Sequence, residues 1–273
     1  FQGGLRPHLY CLPVLKAERH RQAVADAAFS PDGKLLAAAT GTSTVVLWDP
    51  ATRKRGRELK GHKGAVNSVA FAPDGRLLAS AGNDGSVRLW NPVSGKPGRK
   101  LSGHSRAVRS VSFDPAGKSL VSAGDDGTVR TWSVDSGRQL LCMKGHRAPV
   151  RSAFFAPGGQ RVVSAGADGT VRIWDALTGQ QLLKLDEGTG RLFAAAMDPR
   201  GATVAAGGKS GRLWLWFSRD EVPQYGEWVY DHPFFLILNV AVGGNYPLEP
   251  TSSTPDEVTM EIDWVRAFTS GTE

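Results

Sequence analysis

The sequence predicts an all-β protein built from five repeated four-stranded units. Its 33 glycines and 16 prolines indicate many short strands and tight turns. Five tryptophans are each separated by 42 residues, namely Trp48, Trp90, Trp132, Trp174 and Trp216. A fixed period of this length is typical of one supersecondary unit repeated along the chain. Histidines keep the same step at His20, His62, His104 and His146.

Each unit has the same internal order, which is clearest over residues 61–90. Apolar residues alternate in VNSVAF, LLASAG and SVRLW, and the turn sequences PDG and NDG separate these three segments. Alternation of this kind predicts half-buried strands, and such turn residues predict tight connections. A more polar segment, GRKLSG, precedes the next Gly-His pair. We therefore expect four strands in each unit.

The order Gly-His, Asp, Trp at this step resembles the WD-repeat family of β-propellers over about residues 8–216, within a predicted propeller domain of residues 4–216. The resemblance implies four-stranded blades, each with a buried His–Ser–Asp–Trp tetrad whose polar groups satisfy one another. Three units match it fully, with His62, Ser80, Asp84 and Trp90, then His104, Ser122, Asp126 and Trp132, then His146, Ser164, Asp168 and Trp174. The outer units depart from it, with Ala38 and Thr42 in the first and Gly188, Ala206 and Ser210 in the fifth.

Closure of the ring is the open structural question. Residues 8–17 resemble the strand that precedes each Gly-His pair, and the resemblance implies that this strand completes the last blade beside residues 212–216. Members of this family most often have seven blades, so other residues could also fill the ring. The segment after Trp216 is the candidate.

Residues 217–273 differ from the repeats in charge and in pattern. They hold ten acidic residues and two arginines, which gives a net charge of −8. Since the whole chain has a net charge of +7, residues 1–216 have a net charge of +15. The sequences WVYDHPFFLILNVAVGGNYP and TPDEVTMEIDWVRAF resemble the C-terminal strands of family-16 glycoside hydrolases, the laminarinase-like β-glucanases. We predict an engineered or recombined chimera, with a missing stretch between Trp216 and Phe217 as the alternative. The predicted strands of this tail, residues 234–241 and 258–268, could add a sixth blade.

Catalysis is not expected from this tail. Hydrolysis of a sugar bond needs two flanking carboxylates, and in Glu261-Ile262-Asp263-Trp264-Val265 the next residue is Arg266 where the second glutamate would stand. No catalytic residue, metal site or cofactor is predicted. The favoured function is a non-catalytic scaffold for protein–protein interaction, which in an engineered chain could lack an evolved partner. The alternative is a β-glucan-binding or β-glucan-hydrolysing protein.

The resemblance also implies where a partner would bind. Proteins of this family usually bind through the narrow face of the ring, formed where the first strand of each blade begins and by the residue before the tetrad aspartate. We use "narrow face" for the residues at these positions, which are varied and mostly polar. They are Asn67, Asn83, Arg109, Asp125, Arg151 and Phe193. An ordinary solvated rim is the competing interpretation.

The remaining features of the sequence concern the partners and the cellular location of the protein. Basic clusters from Thr52 and from Gly95 lack interleaved aromatic residues, so nucleic-acid binding is not expected. The two cysteines are interpreted as free thiols. No signal or membrane-spanning segment is visible, which predicts a soluble, cytoplasmic protein without a membrane partner. Residues 1–3 match the end of a tag-cleavage site and are interpreted as a tag remnant.

Overall fold

A computed structural model describes residues 23–186, 190–209 and 213–217, together with the backbone of residues 236–240 and 266–267. Within these ranges the chain forms strands and turns and no helix. No helix of the described part is long and apolar enough to cross a membrane. The predicted strand at residues 8–17, His20 and most of the tail lie outside the described residues.

The predicted all-β architecture is confirmed, and the described strands form five antiparallel sheets that we number as blades 1 to 5. Blades 1 and 2 consist of β1 (Val24–Phe29), β2 (Leu36–Thr40), β3 (Thr44–Asp49), β4 (Lys54–Lys60), β5 (Val66–Phe71), β6 (Leu78–Gly82), β7 (Ser86–Trp90) and β8 (Pro97–Ser102). Blades 3 and 4 consist of β9 (Val108–Phe113), β10 (Ser119–Gly124), β11 (Thr128–Ser133), β12 (Gln139–Lys144), β13 (Val150–Phe155), β14 (Arg161–Gly166), β15 (Thr170–Asp175) and β16 (Gln181–Asp186). Blade 5 consists of β17 (Leu192–Met197), β18 (Thr203–Gly208), β19 (Leu213–Phe217), β20 (Leu236–Val240) and β21 (Arg266–Ala267).

Within each blade the strands follow chain order and pair antiparallel. In blade 3 the second strand, β10, places Ser122 opposite Val111 of β9 on one side and opposite Arg130 of β11 on the other. Tight turns connect the strands, and the turn between β9 and β10 needs a left-handed residue, which Gly117 supplies at φ 70°. This order brings the start of every first strand and the turn after every second strand to the same end of the blade.

The apolar core lies between the blades. Trp132 of blade 3 is 1% exposed and belongs to one cluster with Val87, Leu89 and Leu101 of blade 2. Trp90 and Trp174 likewise cluster with residues of the preceding blade. A single blade therefore cannot bury its own tryptophan, and packing of successive repeats is what forms the core.

Hydrogen bonds that the sequence did not predict also join neighbouring blades. The backbone N–H of Val111 donates to Ser68 Oγ at 3.3 Å, and that of Ala153 donates to Ser110 Oγ at 3.2 Å. The N–H of Val69 donates to Asp26 Oδ2 at 3.0 Å in the same way. Each bond joins residues 43 positions apart, so it fixes the register of one first strand against the next.

The tail strands extend blade 5, which corrects the expectation of a sixth blade. β20 pairs antiparallel with β19 along Leu213–Phe217, and β21 pairs with β20. The edge of β19 expected for residues 8–17 is therefore occupied by residues 236–240. An unpaired edge strand exposes backbone groups that any extended segment can satisfy, and here the tail does so.

The first strands of the two outer blades are more exposed than those of the middle blades. Val24 of β1 is 45% exposed, whereas the equivalent Val66 and Val108 are fully buried, and Phe29 of β1 is 62% exposed, whereas the equivalent Phe113 is 8% exposed. In β17 the residues after Leu192 are likewise exposed or half-buried. The middle blades, which have a described neighbour on both sides, therefore bury their first strands more completely.

Candidate functional site

Five of the six narrow-face residues lie in one hydrogen-bonded network that crosses blades 2, 3 and 4. Arg109 on β9 is its centre, since its Nε lies 2.9 Å from both carboxylate oxygens of Asp125 and its Nη2 also contacts Oδ2. Its Nη1 lies 3.4 Å from the side-chain oxygens of Asn67 and Asn83. Arg151 on β13 contacts Asp125 Oδ1 at 3.4 Å from the other side. The structure thus brings together residues that are up to 84 positions apart.

The two asparagines hold the blade 2 side of this network in place. Asn67 Nδ2 donates to Asn83 Oδ1 at 2.9 Å and to the backbone oxygen of Val108, in blade 3, at 2.7 Å. Both amide oxygens are therefore oriented toward Arg109. The pKa of Arg109 is raised above its ordinary value, chiefly by the hydrogen bonds to Asp125, so the guanidinium stays charged.

Arg151 is the least satisfied member of the network. Its Nε is buried and has no hydrogen-bond partner among the described residues, and its side chain is 32% exposed. Buried donors without a partner are rare in folded proteins, and each one needs a physical reason. An acceptor supplied by a bound partner would provide one.

Phe193, the sixth residue, is not joined to the network. It lies on β17 of blade 5 at the equivalent position of its first strand and is half exposed. It therefore offers an apolar contact beside the polar network.

Exposed cations at the same end of the blades extend the site beyond the residues that the sequence singled out. These cations lie in the loops that connect the fourth strand of one blade to the first strand of the next. These residues are Lys63, Arg106, Arg147 and Arg191, all exposed. The aspartates at this end are engaged, since Asp125 pairs with Arg109 and the tetrad aspartates bond to histidines. The narrow face is therefore basic.

The three complete tetrads form the polar chains that the family resemblance implied. In blade 3, His104 Nδ1 lies 3.0 Å from Asp126, His104 Nε2 lies 2.8 Å from Ser122 Oγ, and Trp132 Nε1 donates to that hydroxyl at 2.9 Å. A neutral imidazole with its proton on Nδ1 satisfies every group in this chain. Blades 2 and 4 repeat the geometry at His62 and His146.

The tetrads also hold the loops that carry the exposed cations. The second oxygen of each tetrad aspartate accepts from a backbone N–H of the loop that begins the blade, at 3.0 Å from Lys63 and Arg147 and at 3.1 Å from Ser105. The buried chain and the basic surface are thus parts of one unit. Among the described residues no group of three or more His, Cys, Asp or Glu side chains could hold a metal ion.

The outer blades lack this arrangement within the described residues. In blade 1 the hydroxyls of Thr40, Thr42 and Thr44 bond to one another in place of an aspartate-centred chain. In blade 5, Trp216 Nε1 is buried and has no partner in the described part of the chain.

Sequence reasoning missed two further kinds of side chain beside the tetrad aspartates. A hydroxyl two residues after the aspartate donates to it, at 2.7 Å from Ser86 and 2.8 Å from Thr128. An arginine two residues later lies beside the same aspartate, at 3.7 Å for Arg130 and 3.8 Å for Arg172. Both positions keep the 42-residue step through blades 2 to 4, and that step was the signal that could have found them.

The titration of the tetrads makes stability depend on pH. Burial lowers the pKa of His62 and His104 below 6.5 and outweighs the attraction of the paired aspartates. Burial alone would raise the pKa of Asp126, but hydrogen bonds from Thr128 and His104 outweigh it and hold that pKa below 3.8. The same balance places the pKa values of Asp84 and Asp168 far below their ordinary range.

The lowered pKa values of the tetrad histidines and of the tetrad aspartates both predict that the fold loses stability in acid. Neutral histidines contribute stability above pH 6.5 that is lost as the pH falls toward their lower folded pKa, because the unfolded chain binds the protons first. The aspartates contribute stability above pH 3.8 that is lost as the pH falls toward their folded pKa. Thermal melting followed by circular dichroism from pH 8 to pH 3 should show a first decline below about 6.5 and a steeper one below about 4. A maximum melting temperature near pH 5 would contradict this assignment.

Comparison with known proteins identifies the repeat. The family model described as WD domain, G-beta repeat matches residues 10–49, 53–91, 95–133 and 137–175. These ranges cover more than half of the chain and reach from the first blade to the fourth. Blade 5 continues the same strand pattern beyond them.

Short matches to curated proteins of another kind also occur. A dihydroorotase of Picosynechococcus sp. is 62% identical over 36 residues, which is 13% of this chain and 10% of that protein. The mitochondrial dihydroorotase of Oryza sativa subsp. japonica is 70% identical over 30 residues, 11% of this chain and 7% of that protein. The chain spans about a tenth or less of the length of these curated relatives.

Proposed function

Since the chain belongs to the WD domain, G-beta repeat family, we propose that it is a non-catalytic scaffold that binds another protein through its narrow face. The observation that carries this proposal is the network of Arg109, Asp125, Asn67, Asn83 and Arg151 across three blades. A preorganised polar surface loses little conformational entropy when a partner binds, which favours recognition.

The charge of the face supports an acidic partner segment. Arg151 keeps an unpartnered buried Nε among the described residues, and the loops around it carry Lys63, Arg106 and Arg147. Like-charged arrays steer partners of the opposite sign and raise their association rate. The exposed Phe193 would add apolar contact at the edge of the site. We propose an acidic stretch of protein with an apolar side chain as the ligand.

The tail enters the proposal as part of the scaffold. β20 and β21 lie in the sheet of blade 5, and the charge contrast between residues 1–216 and 217–273 supports separate origins for the two parts. We propose that the tail protects the edge of β19 rather than acting on a polysaccharide. Incubation with a β-1,3-glucan should then yield neither binding nor reducing sugar.

Substitution of both central arginines tests the proposed interface. The double variant Arg109→Gln/Arg151→Gln is expected to retain less than about a tenth of the protein captured from a nuclease-treated cell extract. Its melting temperature should stay within about 2 °C of the parent's, because the replaced groups are partly exposed and glutamine can still bond to Asp125.

The matched control removes two arginines from the other end of the blades. Arg76 and Arg138 are exposed in turns there, and the variant Arg76→Gln/Arg138→Gln should capture as much protein as the parent. Unchanged capture by the Arg109/Arg151 variant, or an equal loss in the control, would reject the narrow face as the site.

A further inference from the structure

A second concave surface lies at the opposite face of the array, between blades 3 and 4. It is a groove of about 470 Å³, formed where the turns between first and second strands meet those between third and fourth strands. The residues that matter for its chemistry are Asp114, Thr131, Leu140, Phe155, Asp175 and Leu177. All of them lie at the far end of the blades from Arg109 and Arg151, so the groove is separate from the narrow face.

Thr131 is anomalous in the repeat. The equivalent positions at the 42-residue step are all aliphatic, namely Leu47, Leu89, Ile173 and Leu215. Thr131 is fully buried, and its Oγ1 has no hydrogen-bond partner among the described residues. A buried hydroxyl without a partner destabilises the fold relative to an aliphatic side chain of the same shape. Its place in the groove lining suggests that a ligand provides the missing partner.

Two carboxylates give the groove a negative charge. Asp114 Oδ1 accepts from the N–H of Ser119 at 2.8 Å, and Asp175 Oδ1 accepts from the N–H of Leu177 at 3.0 Å. The other oxygen of each, Oδ2, has no partner among the described residues. Arg161 lies directly across from Asp175 in the sheet, yet the described residues include no ion pair between them. Among the described residues no lysine or arginine lines the groove, although the whole chain carries +7.

Apolar side chains complete the walls. Leu140 is 54% exposed and Leu177 is 87% exposed, which are high values for leucine, and Phe155 lies between blades beside them. Exposed apolar side chains that converge on one concavity, with a few polar groups between them, are typical of a ligand site.

The equivalent groove between blades 1 and 2 shows that the repeat alone does not create this chemistry. It has nearly the same volume, about 480 Å³, but Leu47 stands in the place of Thr131. Its two carboxylates, Asp32 and Asp49, are balanced by Lys34 and Arg57 in the same lining, and Lys34 lies 3.5 Å from Asp32. An unpartnered hydroxyl, and a described lining that has two carboxylates but no lysine or arginine, are found together in the groove between blades 3 and 4.

We propose that the groove between blades 3 and 4 binds a short protein segment that presents a lysine or arginine beside an aliphatic side chain. The cationic group bonds to the free oxygens of Asp114 and Asp175, and the aliphatic side chain packs against Leu140 and Leu177. A backbone carbonyl of the segment accepts from Thr131 Oγ1. Charge-assisted hydrogen bonds of this kind are stronger than neutral ones, and they select against an acidic segment.

The probe is a fluorescent, end-blocked pentapeptide of sequence Ala-Leu-Lys-Leu-Ala, measured by anisotropy against the full chain. Saturable binding is expected, and the counterpart Ala-Leu-Glu-Leu-Ala should bind at least about tenfold more weakly. Asp175→Asn should weaken binding of the lysine peptide by about tenfold without disturbing the turn. Asn91 already forms the same turn in blade 2, where its side-chain oxygen accepts from the N–H groups of Val93 and Ser94.

Two further variants distinguish a ligand site from a structural accident. Thr131→Val should raise the melting temperature, because it removes the unpartnered hydroxyl, and should weaken peptide binding severalfold. Asp49→Asn in the other groove, and Arg109→Gln/Arg151→Gln on the narrow face, should leave peptide binding unchanged. The proposal is overturned if the parent binds neither peptide or binds both equally, or if Asp175→Asn and Thr131→Val bind the lysine peptide as well as the parent.

Discussion

Replacing Trp132 by alanine is expected to lower the free energy of unfolding by about 3–5 kcal/mol, the range for removal of a buried tryptophan. The indole is 1% exposed and packs against Val87, Leu89 and Leu101 of the preceding blade. Its loss opens a cavity between blades 2 and 3. It also leaves Ser122 Oγ without the donor that it now has at 2.9 Å. Both effects act on the same interface between blades, so unfolding should begin there.

Chemical denaturation followed by far-ultraviolet circular dichroism measures this loss without depending on tryptophan fluorescence. Trp132→Phe keeps a large aromatic ring and loses the N–H donor with a smaller part of the buried volume, so it should lose less than half as much stability as the alanine variant. Leu182→Ala, at a 45% exposed position of β16, is the surface control and should change stability by less than about 0.5 kcal/mol. A loss below about 1 kcal/mol for Trp132→Ala would show that the tetrad tryptophan does not hold the blades together.

Replacing Gly124 by alanine is expected to cost about 3 kcal/mol, although it adds a single methyl group. A Cβ at this position would lie 2.5 Å from His104 Nδ1 and 2.8 Å from Asp126 Oδ1. It would therefore separate the histidine from the aspartate, and two buried polar groups would lose their partners. The same close approach occurs at Gly82 and Gly166, so the effect should recur in blades 2 and 4.

The chain supplies its own comparison for this prediction. Blade 1 has Thr40 at the position equivalent to Gly82, and there the threonine hydroxyls replace the aspartate-centred chain. Gly158→Ala is the engineered control, because a Cβ at Gly158 meets no atom within 4 Å. It should be neutral or slightly stabilising. Equal melting temperatures for Gly124→Ala and Gly158→Ala would refute the steric explanation.

The period of the sequence was enough to predict the strand order, and the family resemblance implied the tetrads. The 42-residue step places His104, Ser122, Asp126 and Trp132 at fixed points of a four-stranded unit, and the structure joins them in one hydrogen-bonded chain. Alternation of apolar residues predicted half-buried strands, whereas the second strands, such as Leu78–Gly82, are buried on both faces because a neighbouring blade packs on each side. These inferences depend on local pattern and repeat, which a single sequence contains.

Contacts between blades could not be predicted in the same way. The bond from the Val111 N–H to Ser68 Oγ depends on how two sheets lie against each other, which the period does not state. The sequence positions of the narrow-face residues also do not show that Arg109 contacts Asn67, Asn83 and Asp125. Nor do they show that Phe193 is not joined to this network. The tail strands were expected to add a sixth blade, whereas β20 pairs along the edge of β19, where an open strand offers unpaired backbone groups.

Site-specific photo-cross-linking tests most directly the central claim that the narrow face binds protein. A photoreactive benzoylphenylalanine in place of Phe193, which is 51% exposed beside the network, reports contacts at that face. The same group in place of Leu182 reports contacts at the outer edge of blade 4. Cross-links to protein are expected at position 193, with loss of those cross-links when Arg109 and Arg151 are also replaced by glutamine. Cross-links from position 182 alone, or cross-links from 193 that persist without the two arginines, would contradict the claim.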